Sequence, residues 1–146
     1  MLRILIADDE YLAIEAVKKI IKNNIEDVNI VATASSGKEA IIKVNELSPD
    51  IAIMDIQMPG IDGLEAIRQI KVSNPNILFI VLTAYDLFDY AKESIGLGAV
   101  EYLLKPIKKD QLLMAIEKAS EIVKSKQIQN KWEYELKEKL TLVSPL

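Results

Sequence analysis

The chain has 146 residues, half of them hydrophobic and 27% charged, with 18 basic against 22 acidic side chains and a formal charge of −4. That balance fits one globular domain with a core of its own and a short appendage, and it excludes a disordered chain or a basic nucleic-acid surface. Cysteine and histidine are both absent, which excludes a disulfide framework, thiolate or imidazole metal sites, and any histidine acting as a base or phosphoryl carrier.

Leu2–Ala7 is an apolar run of strand length, closed by Asp8 and Asp9. It breaks too early and lacks the cleavage pattern of a signal peptide, so it reads as a first strand. Leu12, Ala16, Ile20 and Ile21 then recur at helical spacing. Strand-length runs follow at Asn29–Ala34, Asp50–Met54, Ile77–Leu82 and Val100–Leu103. Between them lie helical patterns: Ala40, Ile41 and Val44, then Gly63–Ile70, Asp86–Ile95 and Asp110–Val123. Near-continuous apolar strands are buried on both faces, as in a parallel sheet covered by helices. The expected fold is α/β, a (βα)5 doubly wound five-stranded parallel sheet. No apolar run reaches the roughly 18 residues of a membrane span, so the expected setting is cytoplasmic, with no membrane partner.

Residues 1–124 read as the domain and 125–146 as a helical linker or tail. In the tail Ile128, Trp132, Leu136 and Leu140 recur every four residues in an otherwise polar stretch. This segment either packs back on the domain or frays, or it leads to a further domain. The apolar ending favours a chain cut from a longer protein.

Parallel strands share a carboxyl edge, and open α/β folds place their ligands there. Asp8, Asp9 and Asp55 end two strands, Thr83 ends the fourth and Lys105 the fifth. Three acids in one pocket repel one another unless a cation lies among them. Taken singly, each residue has an ordinary explanation: a helix-capping acid, a strand-end turn, a solvated lysine. Met58-Pro59-Gly60 and Gly63 add a rigid irregular loop after Asp55 whose backbone approaches a ligand closely.

Asp8-Asp9-Glu10, Asp55 with Met58-Pro59 and Gly63, Thr83-Ala84 and Lys105-Pro106 together resemble the receiver domain of two-component response regulators, over residues 1 to about 124. The resemblance implies a flavodoxin-like fold and a phosphoryl group accepted on Asp55 from a sensor histidine kinase. It implies Mg²⁺ bound by Asp9, Asp55 and the Gln57 backbone carbonyl, with Asp8 acting through water. Thr83 and Lys105 would hold phosphoryl oxygens, Tyr102 would be the switch aromatic, and Lys105–Pro106 would be cis. Such a chain is a signalling switch and not an enzyme beyond its own phosphorylation and dephosphorylation. Tyr85-Asp86-Leu87-Phe88-Asp89-Tyr90-Ala91 looks like the segment found in receivers that precede AraC-type helix-turn-helix domains. DNA would then be bound only through an output domain absent from this chain. Phosphorylation would promote a homodimer through the fourth helix, fifth strand and fifth helix, with Glu93, Glu101 and Lys108 available for ion pairs.

A stand-alone receiver working through protein contacts is the nearest rival. A Mg²⁺-dependent phosphatase with an aspartyl nucleophile would place its two acids two residues apart, whereas Asp8 and Asp9 are adjacent. A nucleotide-binding module would need a Gly-rich loop after the first strand, and none is there.

Overall fold

The computed structural model describes residues 1–84, 92, 93 and 95–143. Five strands, β1 (Leu2–Ala7), β2 (Val28–Ala34), β3 (Ile51–Asp55), β4 (Leu78–Thr83) and β5 (Ala99–Leu104), form one sheet in the order β2-β1-β3-β4-β5, every pairing parallel. Chain order reverses beside β1, so the crevice between the ends of β1 and β3 is the topological switch point.

Strand alternation divides the core in two. Leu5, Ala7, Ala52, Met54, Phe79 and Val81 face helices α2 (Gly37–Leu47) and α3 (Gly63–Ser73). Ile4, Ile6, Ile51, Ile53, Ile80 and Leu82 face α1 (Tyr11–Asn24) and the final helix, α4 (Lys109–Val143). β3 and β4 are buried at every position, which explains their unbroken apolar sequence.

Two expectations need correction. The buried face of α1 is Ile14, Val17 and Ile21, whereas Leu12 is 79% exposed and Ala16 also faces solvent. Apolar residues occupy several faces of this helix, so periodicity alone offered two stripes. The final helix does not stop near residue 124 but runs unbroken for 35 residues. No Gly or Pro interrupts it before Pro145, and a drop in hydrophobicity changes burial without ending a helix. Leu112, Ala115, Ile116 and Ala119 pack against the sheet, while residues 127–141 are exposed throughout. The tail therefore does not fold back on the domain.

The expected helix at Asp86–Ile95 and the Tyr85–Ala91 motif fall largely outside the described residues; Lys92, Glu93, Ile95 and Gly96 are helical.

Candidate functional site at the carboxyl edge of the sheet

β1 delivers Asp8 to the switch point, where its carboxylate is 1% exposed. Asp8 Oδ1 accepts the Glu10 N–H at 2.9 Å, so Asp8 closes the turn into α1, and no side chain caps the helix itself. Asp8 Oδ2 accepts from Lys105 Nζ at 2.7 Å. β3 delivers Asp55, which is 3% exposed. Its Oδ1 accepts the Gln57 N–H at 3.1 Å and its Oδ2 accepts from Lys105 Nζ at 3.1 Å. Asp9 stands exposed at the mouth and engages no partner among the described residues. Carboxylate oxygens of Asp8, Asp9 and Asp55 lie within 4.8 Å of one another.

Burial raises the Asp55 pKa above the ordinary carboxylate value, and the Asp8 charge adds to the rise; the Gln57 N–H and Lys105 oppose it. For Lys105, burial disfavours the ammonium, but the hydrogen bond to Asp8 and the charges of Asp55 and Asp8 outweigh it and hold its pKa above the usual lysine value. The lysine is thus an internal counter-ion to two buried acids.

Backbone geometry fixes these groups. Lys105 N–H donates to the Thr83 carbonyl at 2.7 Å, extending the β4–β5 ladder to the pocket, and the Lys105–Pro106 peptide is cis, as the resemblance implied. Thr83 is fully buried at the end of β4. Tyr102 is half-buried and packs on the α2–α3 side of the sheet. Gly63 N–H donates to the Ile56 carbonyl at 2.7 Å. A Cβ on Gly63 would stand 2.3 Å from the Asp55 carbonyl oxygen, so only glycine lets α3 start against the Asp55 backbone.

Asp8, Asp55 and Lys105 are thus brought into direct contact, with Asp9 at the rim and Thr83 at the adjoining strand end. Asp62, which apolar periodicity does not single out, caps α3 and accepts the Glu65 N–H at 2.8 Å. The Asp-x-x-Glu spacing is a signal for it. Glu93 pairs with Arg68, and Glu101 with Lys118, within the same chain, contacts that no local sequence pattern announces.

The donor set tests the expected metal. Only hard carboxylate and carbonyl oxygens are available, at an open, part-exposed mouth, and such a set suits Mg²⁺ with retained waters.

The family model of the response regulator receiver domain matches residues 4–117. The transcriptional regulatory protein YesN of Bacillus subtilis is 35% identical over 140 residues, covering 96% of this chain but 38% of YesN. The chemotaxis protein CheY of Listeria monocytogenes is 38% identical over 120 residues, covering 82% of this chain and 99% of CheY. The receiver domain of AraT, a response regulator from Geobacillus stearothermophilus, superposes with a TM-score of 0.80 at 35% identity, covering 86% of this chain and 98% of that one. This chain belongs to the receiver-domain family of two-component response regulators. It spans little more than a third of YesN and essentially all of CheY. Among the described residues, no helix is long and apolar enough to cross a membrane.

Proposed function

We propose that Asp55 is the phosphoacceptor and that the chain turns its phosphorylation into a change of surface. The observation that carries this is a buried carboxylate held between a second buried acid and a lysine at the switch point. Gln57 N–H fixes one Asp55 oxygen, leaving the other, on Lys105, to attack phosphorus. Phosphoryl transfer asks mainly for positioning and charge neutralisation. The new O–P bond forms as the bond from phosphorus to the donor breaks, and the Lys105 ammonium shifts from carboxylate to phosphoryl oxygen. Thr83, the last residue of β4, would hold a second phosphoryl oxygen.

Both Asp8 oxygens are already engaged, which supports a role for Asp8 through water. Asp9, Asp55 and the Gln57 carbonyl are the residues that would hold Mg²⁺ directly. When bound, that ion supplies positive charge to the phosphoryl oxygens. The chain contains no histidine, so the phosphoryl group comes from outside, from a histidine kinase or a small phosphodonor in the cytoplasm. The only reactions promoted are the chain's own phosphorylation and dephosphorylation.

Transcriptional output is the reading favoured by the tail. Similarity to YesN covers 96% of the chain and so extends into the α4 extension, whereas similarity to CheY covers 82%. Residues 1–124 are then the receiver and 125–146 the link to an AraC-type output domain that binds DNA. Phosphorylation would be read through Thr83 and Tyr102 and would favour a homodimer through β5 and its flanking helices. A groove of about 650 Å³ lined by Tyr102, Leu104, Lys108 and Met114 offers the apolar contact. Glu93 and Glu101, already paired internally, would have to exchange partners there.

Acetyl phosphate labelling with and without Mg²⁺ tests the phosphoacceptor reading. One phosphoryl group per chain with Mg²⁺, and none in Asp55→Asn, is expected. Undiminished labelling of Asp55→Asn would overturn it.

A further inference from the structure

The loop after Asp55 is seated on a helix that contributes nothing to the pocket. Gly37, the first residue of α2, is buried. Its backbone is not in the left-handed region that Gly60 occupies at φ 80°, so conformation does not require glycine there. Space does. A Cβ on Gly37 would stand 2.5 Å from the Ile61 carbonyl oxygen and 3.3 Å from both the Ile61 carbonyl carbon and its Cβ. Real Cβ atoms essentially never approach another atom closer than 3.0 Å, so any other residue forces a movement of at least half an ångström.

The helix is the fixed partner. Ser36 Oγ accepts the Glu39 N–H at 3.1 Å, Ala40 N–H donates to the Ser36 carbonyl at 3.0 Å, and Ala40 and Val44 are fully buried. The far end of the loop is fixed too, because Gly63 lies against the Asp55 and Ile56 backbone. Ile61 packs on the same core cluster as Ala40 and Val44. Between these points Gln57, Pro59 and Gly60 are exposed and Met58 alone is buried, so the backbone on either side of Met58 is what can yield. Gln57 is the residue whose N–H orients the Asp55 carboxylate.

We propose that Gly37 is a positioning residue for the phosphoacceptor site: its missing side chain seats the Ile61 carbonyl, and the seated loop holds Gln57 against Asp55. This rests on the phosphoacceptor reading above. Sites of this kind demand placement within about 0.5 Å, and loss of a supporting contact typically costs 10–100-fold in metal affinity or activity.

The test uses the full chain as wild type, Gly37→Ala, Ile61→Ala and Val44→Ala. In metal-free protein, backbone amide shifts and hydrogen exchange of residues 56–62 report the seat directly. Mg²⁺ titration and the labelling rate with acetyl phosphate at saturating Mg²⁺ report its consequence. Gly37→Ala is expected to shift these amides, speed their exchange, and weaken Mg²⁺ binding and labelling about tenfold. Val44→Ala lowers stability from within the same helix and should leave Mg²⁺ affinity and labelling at wild-type values. A folded Gly37→Ala with wild-type loop amides, Mg²⁺ affinity and labelling rate overturns the proposal, as do equal losses in Gly37→Ala and Val44→Ala. Should Gly37→Ala fail to fold, Ile61→Ala, which removes the loop's apolar anchor, should show the same tenfold losses, and wild-type behaviour there overturns it. A wild type that neither binds Mg²⁺ nor labels would instead count against the phosphoacceptor reading.

Discussion

Lys105 Nζ donates to Asp8 Oδ2 across 2.7 Å, although β5 and β1 are separated in the sheet by β3 and β4. The long lysine stem spans that gap along the carboxyl edge and makes a further bond to Asp55 on the way. Two acids and one base from three strands therefore form a closed electrostatic unit, and its stability can be tested apart from its chemistry.

Removing the lysine leaves two buried carboxylates facing each other. Breaking a buried ion pair from one side costs about 3 kcal/mol or more, so Lys105→Met should be destabilised by that order in metal-free buffer, and Mg²⁺ should recover part of the loss. The pH dependence follows from the raised Lys105 pKa. Its contribution is fully present below the unfolded lysine value of about 10.4, and is lost as pH climbs through the higher folded value. In denaturant melts from pH 7 to 11 the gap between the two proteins should stay constant up to the unfolded lysine value and narrow only above it.

Asp55 has the opposite linkage. Burial raises its pKa, so between about pH 3.9 and the folded value the native state binds more protons than the unfolded chain, and stability falls as pH rises through that window. Above it, the ionised carboxylate is a standing cost. Asp55→Asn should therefore melt higher at pH 7 without metal, by roughly 2–4 °C if the cost is about 1 kcal/mol. The advantage should vanish below pH 4 and shrink when Mg²⁺ is added.

Gly63→Ala would drive a methyl group into the Asp55 carbonyl, with its carbon 2.3 Å from the oxygen and 2.7 Å from Ile56 Cα. Both obstacles are backbone and neither can rotate away. A loss of about 3 kcal/mol in chemical denaturation is expected, together with a labelling defect.

The pocket was readable because each strand ends where an apolar run meets a polar residue, and parallel topology carries those ends to one edge. Asp8, Asp55, Thr83 and Lys105 all followed from that rule. What failed to show was contact at a distance in sequence. Nothing local announces that Gly37 faces Ile61, or that Glu93 is held by Arg68. The buried face of α1 was missed because Leu12, Ile14, Ala16, Val17, Ile20 and Ile21 are apolar together, and only the sheet chooses among them. The continuity of α4 was obscured because the change in polarity near residue 124 looks like a boundary between a domain helix and a linker helix, when it marks where one helix leaves the core.

The exposed stripe on that helix carries its own prediction. Ile128, Trp132, Leu136 and Leu140 are 57–69% exposed and, among the described residues, touch no core cluster. Deleting residues 125–146 should change receiver stability by no more than about 0.5 kcal/mol, as for other exposed changes. If the tail adds to a dimer, sedimentation with beryllofluoride should show weaker self-association for Trp132→Ala at unchanged melting temperature.

The phosphoacceptor assignment is tested most directly by locating the phosphoryl group. After labelling with acetyl phosphate and Mg²⁺, borohydride reduction converts an aspartyl phosphate to homoserine, which peptide mass spectrometry places by residue. Homoserine at position 55, with Asp8 and Asp9 unmodified, is the predicted result. A modified Asp8 or Asp9 with intact Asp55, or an unlabelled but folded protein, would contradict it.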